Sequence, residues 1–213
     1  MLCCMTDSAH DKEHIYRVLY VALDIAEQEN NVDYDVLITA CLLHDIGRQE
    51  QFANPQLCHA VVGADKAYAF LINHGYGADF ANRVASCIKL HRFRTDNPPQ
   101  NIEEKILFDA DKIDVTGTIG IARTIFYKGQ VNEPLYTLNE NGEVSDGSND
   151  DKPSFFQEYK IKLENLYSKF YTQRGSAIAK QRQCSAIAFY ENMRKEVSQS
   201  YETGPLFLKK LLK

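Results

Sequence analysis

Six cysteines are scattered along the 213 residues, at positions 3, 4, 41, 58, 87 and 184, and no pair has the CxxC spacing. Cys41, Cys58 and Cys87 fall instead in apolar helical patterns, where a free thiol behaves as a small buried hydrophobe. That usage suits a reducing compartment, and a cytoplasmic protein is expected. No apolar run approaches the roughly 18 residues of a membrane span, so no membrane partner is expected. Residues 1–8 lack a basic start followed by an apolar stretch, so no signal peptide is expected. Positive charge is short as well: 24 Lys and Arg stand against 29 Asp and Glu, a net charge of −5. Without a broad basic field to neutralise phosphates, a general nucleic-acid binder is not expected, whereas a small anionic ligand gripped by a local cluster or a metal is allowed. The GxxxxGK(S/T), GxSxG and HExxH patterns are missing, so P-loop, serine-hydrolase and zincin chemistry have nothing to rest on. Internal repeats are missing too, and β-branched alternation is scarce, which leaves an essentially all-α chain.

What is present is an ordinary globular composition, 44% hydrophobic and 25% charged, enough for one domain with a sizeable core. A single domain over 1–213 is expected, with its core at about 9–128, a polar loop at 129–153 and C-terminal helices at 154–203 completing the fold. Residues 11–29 read as a helix, because Ile15, Val18, Leu19, Ala22, Ile25 and Ala26 recur at three- and four-residue steps. Residues 33–46 form a second helix, apolar nearly all round and therefore central. Asp33 or Asp35 can cap its start, and Gly47 can end it in the left-handed conformation. A polar connection at 49–56 leads to helices at 57–73 (Val61, Val62, Ala64, Ala67, Phe70 and Leu71 inward), 79–92, 101–113 and 116–127. The 130–151 stretch is rich in Asn, Asp and Gly and reads as a long acidic loop. Two long helices follow, 154–173 and 175–200, with Leu163, Leu166, Phe170, Ala177, Ile178, Ile187, Phe189 and Met193 as their buried positions.

Metal-capable side chains are strung along this frame. His14 opens the first helix, His44-Asp45 stands in the last turn of the most apolar one, and Asp111 lies near the end of the fifth. Singly, each has a bland reading, as a surface histidine or a capping aspartate. Jointly they are harder to dismiss, because two polar residues at the end of a buried helix cost several kcal/mol without partners. Imidazole and carboxylate together suit Mn, Fe, Zn or Mg-type ions, and a set spread over three helices is how bundles build metal sites. Neighbouring helical residues point about 100° apart, so His44 and Asp45 can share an ion only if it lies off the helix end.

The order His14, His44-Asp45, Asp111 resembles the HD superfamily of metal-dependent phosphohydrolases, and within it the small bacterial HD hydrolases of the YedJ and YpgQ kind. The likeness rests on His10-Asp11-x-x-His14-x-x-Arg17-Val18 and Leu43-His44-Asp45-Ile46-Gly47-Arg48. It continues through His59 with Gly63-Ala64, His91-Arg92, and Asp109-Ala110-Asp111-Lys112-Ile113-Asp114 running on to Gly117, Gly120 and Arg123. Ile178-Ala179-x-x-Arg182 continues it, so that it spans roughly 9–200. The resemblance implies an all-α HD-domain bundle with additional C-terminal helices. It implies His14, His44, Asp45 and Asp111 as ligands of the main metal, with Asp111 preferred over Asp109 because it precedes a basic residue. Asp109 and Asp114 become supporting candidates. His59 and His91 match positions that in some members hold a second ion or the phosphate; hydrogen bonding to substrate or water is the alternative. His59, His91 and Asp114 are the candidate catalytic residues.

The implied activity is hydrolysis of a phosphate ester or phosphoanhydride with one or two divalent ions (Mn, Mg, Fe, Co or Zn). A divalent cation brings the pKa of bound water toward neutrality and draws off charge on phosphoryl oxygens, and a histidine or carboxylate can move the proton. A nucleoside or deoxynucleoside triphosphate is the expected substrate. Arg17, Lys112 and Arg92 are the candidate phosphate holders, with Arg48 and Lys89 behind them; Arg94 and Arg123 read as structural. An HD-type oxygenase with two irons is one alternative, permitted by His59 and His91. A non-catalytic nucleotide-binding module is another, opposed by the retention of all four ligands.

Overall fold

A computed structural model of the chain describes residues 12–92 and 97–212. The readings that fall on Cys3, Cys4, His10, Asp11, Arg94 and the signal-peptide stretch 1–8 lie outside them. Among the described residues the architecture is all-α: α1 Lys12–Ala26, α2 Tyr34–Leu43, α3 Arg48–Ala53, α4 His59–Asn73, α5 Ala78–Leu90, α6 Ile102–Ile113, α7 Gly117–Gln130, α8 Phe155–Ile161 and α9 Gln173–Leu211, with a 3-10 turn at Leu163–Ser168. The nearest approach to a sheet is one antiparallel bridge between Leu138 and Val144. No helix among them is long and apolar enough to cross a membrane. The chain divides into two compact units, Met1–Asp114 with Lys169–Ile178, and Val115–Ser168 with Ala179–Lys213.

The first unit packs α1, α2, α4, α5 and α6 around one core. Val18, Ala22 and Ile25 of α1, Leu37 and Ala40 of α2, Ala67 and Leu71 of α4, Val84 and Ile88 of α5, and Ile106 and Leu107 of α6 are its buried members. Cys41 and Cys87 are buried free thiols, and burial pushes both far above the ordinary thiol range. Local chemistry sets the helix starts. The Asp33 side chain accepts from Val36 N, and Asn101 with Glu104 forms a capping box on α6.

Several local expectations are corrected. Residues 48–53 are helical, not a plain connection. Gly47 is not left-handed: its φ is −93°. It is required because a Cβ there would lie 2.3 Å from His59 O and 2.6 Å from Gly63 N, so the turn after α2 presses against the start of α4. Residues 154–173 are not one helix. Asp109 on α6 accepts from Tyr171 N at 2.9 Å and from Thr172 N and Oγ1 at 2.7 Å, which captures the backbone where a helix would need it. Thr172 Oγ1 in turn accepts from Gly175 N, in the first turn of α9. Val61 is exposed.

In the second unit, Phe155, Phe156, Tyr159 and Tyr190 form an aromatic core, with Tyr159 stacked on Tyr190 at 4.0 Å. The buried stripe of α9 runs through Ile178, Ala179, Ala186 and Tyr190, while Ala177, Ile187 and Phe189, expected inward, are exposed. α9 also runs past Ser200 through Pro205 to Leu211. The 130–151 loop is tied down locally. Asp150 accepts from Thr137 Oγ1 at 2.6 Å and also from Ser145 Oγ. Tyr190 OH donates to Asp146 O.

Candidate metal centre

Helix ends of the first unit bring the titratable residues together. His14 lies in the first turns of α1. His44 is the C-cap of α2, and Asp45 follows it in the turn to α3. His59 begins α4, His91 is the C-cap of α5, Asp111 lies in the last turn of α6 and Asp114 is its C-cap. Because α2 closes at Leu43, His44 and Asp45 are off the regular helix and both side chains reach one point: His44 Nε2 is 3.6 Å from Asp45 Oδ2. All four histidines and Asp45 are almost wholly buried.

Two clusters result, joined by Asp45. In the first, His14 Nε2 lies 3.2 Å from His44 Nε2, 3.5 Å from Asp45 Oδ2 and 3.4 Å from Asp111 Oδ1. In the second, His59 Nε2 lies 3.2 Å from His91 Nε2, and these atoms stand 3.7 and 3.8 Å from Asp45 Oδ1. Each carboxylate oxygen of Asp45 thus addresses a different pair of histidines.

The ring tautomers follow from the partners behind the rings. His44 Nδ1 faces Cys41 O at 2.8 Å and His91 Nδ1 faces Ile88 O at 2.5 Å. His14 Nδ1 meets Asp114 Oδ2 at 2.8 Å and His59 Nδ1 meets Gln51 Oε1 at 2.7 Å. These oxygens only accept, so in every case Nδ1 carries a proton, and in the neutral ring the lone pair is then on Nε2. Burial, the largest cause, lowers the His44 imidazolium to about 4 against the pull of Asp45 and Asp111. Burial also holds His59 far below the ordinary histidine range, with the Arg48 charge adding to it. Neutral imidazole lone pairs about 3 Å apart, faced by ionised carboxylates, make a donor set for a cation. The residues therefore fit a divalent metal.

The basic candidates separate. Arg17 grips Asp114 with two bonds, Nε to Oδ1 at 2.8 Å and Nη2 to Oδ2 at 3.0 Å, on the Nδ1 side of His14. Lys112 is not brought to the cluster: its ammonium donates to Lys169 O at 3.0 Å and lies 3.9 Å above the Phe108 ring. The reason is the helical step, which turns Lys112 away from Asp111. Burial lowers its pKa to about 8. Arg48 Nε donates to Asp45 Oδ1 at 2.9 Å. Arg92 is exposed, with Nη1 3.9 Å from Cys58 Sγ, and its charge acts on His59. Lys89 is exposed. Gln51 was not among the expected residues. It sits on α3, whose Arg48-Gln49-Glu50-Gln51 run carries no apolar period to mark it.

The family model for the HD domain matches residues 12–116, from the start of α1 past Asp114. This stretch of the chain is an HD domain. All the histidines, aspartates and arginines of the two clusters fall within it. The likeness to known proteins extends beyond the HD domain. YpgQ of Bacillus subtilis (strain 168) is 28% identical over 195 residues, 89% of this chain and 85% of YpgQ. The crystal structure of Bacillus subtilis YpgQ in complex with ADP matches with a TM-score of 0.69 at 28% identity, covering 89% of this chain and 91% of that one. An HD-superfamily hydrolase from Bacillus thuringiensis matches with a TM-score of 0.64 at 25% identity, covering 88% and 86%.

Proposed function

We propose that the protein is a metal-dependent phosphohydrolase acting on a nucleotide, a nucleoside or deoxynucleoside triphosphate first, with release of pyrophosphate or of single phosphates. The observation that carries this reading is the first cluster: two imidazole Nε2 atoms 3.2 Å apart, each with its proton held behind it, facing two carboxylates. His14, His44, Asp45 and Asp111 would hold the ion, of the Mn, Mg, Fe, Co or Zn type. When bound there, such an ion polarises a phosphoryl oxygen and acidifies water. The nucleotide part rests on chemistry and on a relative: YpgQ has been crystallised with ADP.

The chain's own residues have distinct tasks in this reading. Asp114 and Arg17 fix the ring of His14, and the Cys41 carbonyl fixes His44. His59 and His91 offer Nε2 beside Asp45 Oδ1. Burial makes His59 a weak base, so it orients substrate or water better than it stores a proton. Arg48 and Arg92 supply positive charge on the side of His59 and suit the remaining phosphates. A panel of nucleotides and phosphate esters assayed for phosphate and pyrophosphate release with Mn, Mg, Co and Fe tests the proposal. Metal-independent release, or none with any of these ions, overturns it.

A second reading, an oxygenase with two irons, draws on the Asp45, His59 and His91 cluster. Oxygen uptake with iron, and no phosphate release with manganese, would favour it.

A further inference from the structure

We propose that the distal end of α9 lies on the surface of an anionic lipid bilayer and attaches the protein there peripherally. Phe207, Leu208, Leu211 and Leu212 enter the acyl boundary, and Lys209 and Lys210 face the headgroups. The proposal goes beyond the phosphohydrolase reading and does not depend on it.

α9 ends in a stretch that no described residue covers. Ala179, Ala186 and Tyr190 are buried and hold the helix in the second unit, and Tyr201 makes a further contact, its ring centroid 6.1 Å from that of Tyr136. From Tyr201 to Leu212 every residue is exposed. The helix runs about 15 Å past Tyr201 at about 1.5 Å per residue. Large apolar side chains crowd this end: Leu206 is 64% exposed, Phe207 63%, Leu208 56%, Leu211 81% and Leu212 78%. Single exposed leucines are ordinary, but a contiguous apolar patch marks a contact surface.

The helix sorts this patch. At about 100° per residue, Phe207, Leu208, Leu211 and Leu212 share one face, and Lys209 and Lys210 take the opposite one, where Leu206 joins them. Lys210 Nζ lies 5.6 Å from the Phe207 ring centre, at the edge between the faces. Charge names the occupant. The 203–213 stretch has three lysines and no Asp or Glu, in a chain of net charge −5. The rest of the chain is therefore more negative still and is repelled by an anionic surface, so the attraction belongs to this stretch. A bilayer offers both halves of the complement, an apolar boundary and negative headgroups. A coiled-coil seam with a second copy fits worse. Continued by sevens from Met193 and Val197, it would run through Ser200 and Gly204, which have no apolar side chain to pack. Pro205 follows inside the helix and cannot donate to the carbonyl four residues back. The turns beyond it are too few to hold a helix in water without a partner. The absence of a spanning run, which argues against a membrane partner, does not bear on a helix lying in the surface plane.

The test is cosedimentation of the full chain with vesicles of phosphatidylcholine alone, and of equal parts phosphatidylcholine and phosphatidylglycerol. Wild type is expected to bind the mixed vesicles, to bind the neutral ones less, and to be released in part by salt. Lys209→Glu with Lys210→Glu is expected to weaken binding at least about 25-fold, taking about five-fold for each lysine lost. Phe207→Asp with Leu211→Asp is expected to abolish it. These positions are exposed, so the circular-dichroism spectrum and Tm stay at wild type. Ile161→Ser, which removes an equally exposed apolar residue from α8, is expected to bind as wild type does. The chain has no tryptophan, so Leu212→Trp carries a single reporter whose emission shifts to the blue on the mixed vesicles. Wild type that does not bind the mixed vesicles, or binding that survives Phe207→Asp with Leu211→Asp, overturns the proposal. So does a dimer in light scattering that this pair of substitutions dissociates, which gives the face to a second copy.

Discussion

Gly47→Ala is the sharpest test of how the centre is held. A Cβ at this position would lie 2.3 Å from His59 O, where ordinary contact begins at 3.4 Å, and 2.6 Å from Gly63 N. The atoms it meets are backbone, so no side-chain rotation relieves the clash. The turn after α2 and the start of α4 must separate by about 1 Å, an overpacking of the kind that costs about 1–3 kcal/mol, here at the upper end. For a chain of this length about 3 kcal/mol is a loss of roughly 6–12 °C in Tm. The displaced segments carry Asp45 and His59, which stand 3.7 Å apart across the joint. A shift near 1 Å at a catalytic group costs about 100-fold in turnover. Thermal unfolding followed by circular dichroism, nucleotide turnover and manganese titration would all be read on the same preparation. Gly77→Ala is the control, since a Cβ there meets nothing within 4 Å. A Gly47→Ala protein that melts with wild type and turns over at the wild-type rate would refute the reasoning.

Further outcomes are expected. Asp45→Ala or His44→Ala loses metal-dependent hydrolysis and manganese uptake while keeping its helical circular-dichroism signal; wild-type turnover in either sinks the assignment. His59→Ala lowers turnover less than His44→Ala does, and equal losses would make His59 as necessary as the metal ligands. Asp114→Asn removes the charge behind His14 and weakens manganese affinity about 10- to 100-fold, read by calorimetric titration; an unchanged affinity would show that the His14–Asp114 bond of 2.8 Å does not matter. Lys112 has a folded pKa near 8, below its ordinary 10.5. Its ammonium therefore penalises the fold at neutral pH, and that penalty is relieved as pH rises from 8 to 10.5. Urea unfolding should show wild type gaining on Lys112→Met between pH 7.5 and 10, with manganese uptake equal in the two; a gap that does not close would refute it.

Much of the first unit was legible from local pattern. The apolar steps of Ile15, Val18, Leu19, Ala22, Ile25 and Ala26 describe the buried face of α1 as it stands. The helix expected over 33–46 stops at Leu43 instead, so His44 and Asp45, expected in its last turn, stand beyond it. What was not legible involves contacts that no hydrophobic period marks. α3 has no apolar face, so nothing in its own residues announced that Gln51 would bond His59 or Arg48 would bond Asp45. Lys112 looked well placed because it adjoins Asp111, yet its direction is set by Phe108 and the Lys169 carbonyl. The break before α9 was invisible because Asp109, some sixty positions earlier, makes it.

The sequence by itself determined the helical class and the types of donor, because hydrophobic period and residue chemistry are local properties that need no partner to be read. Only the tertiary structure decided that one aspartate would serve two histidine pairs, and that an arginine would stand at one of its oxygens and not at the other. The two histidines of each pair are 30 and 32 residues apart and Asp114 lies 100 from His14, and packing of the core, not spacing along the chain, brings them within reach.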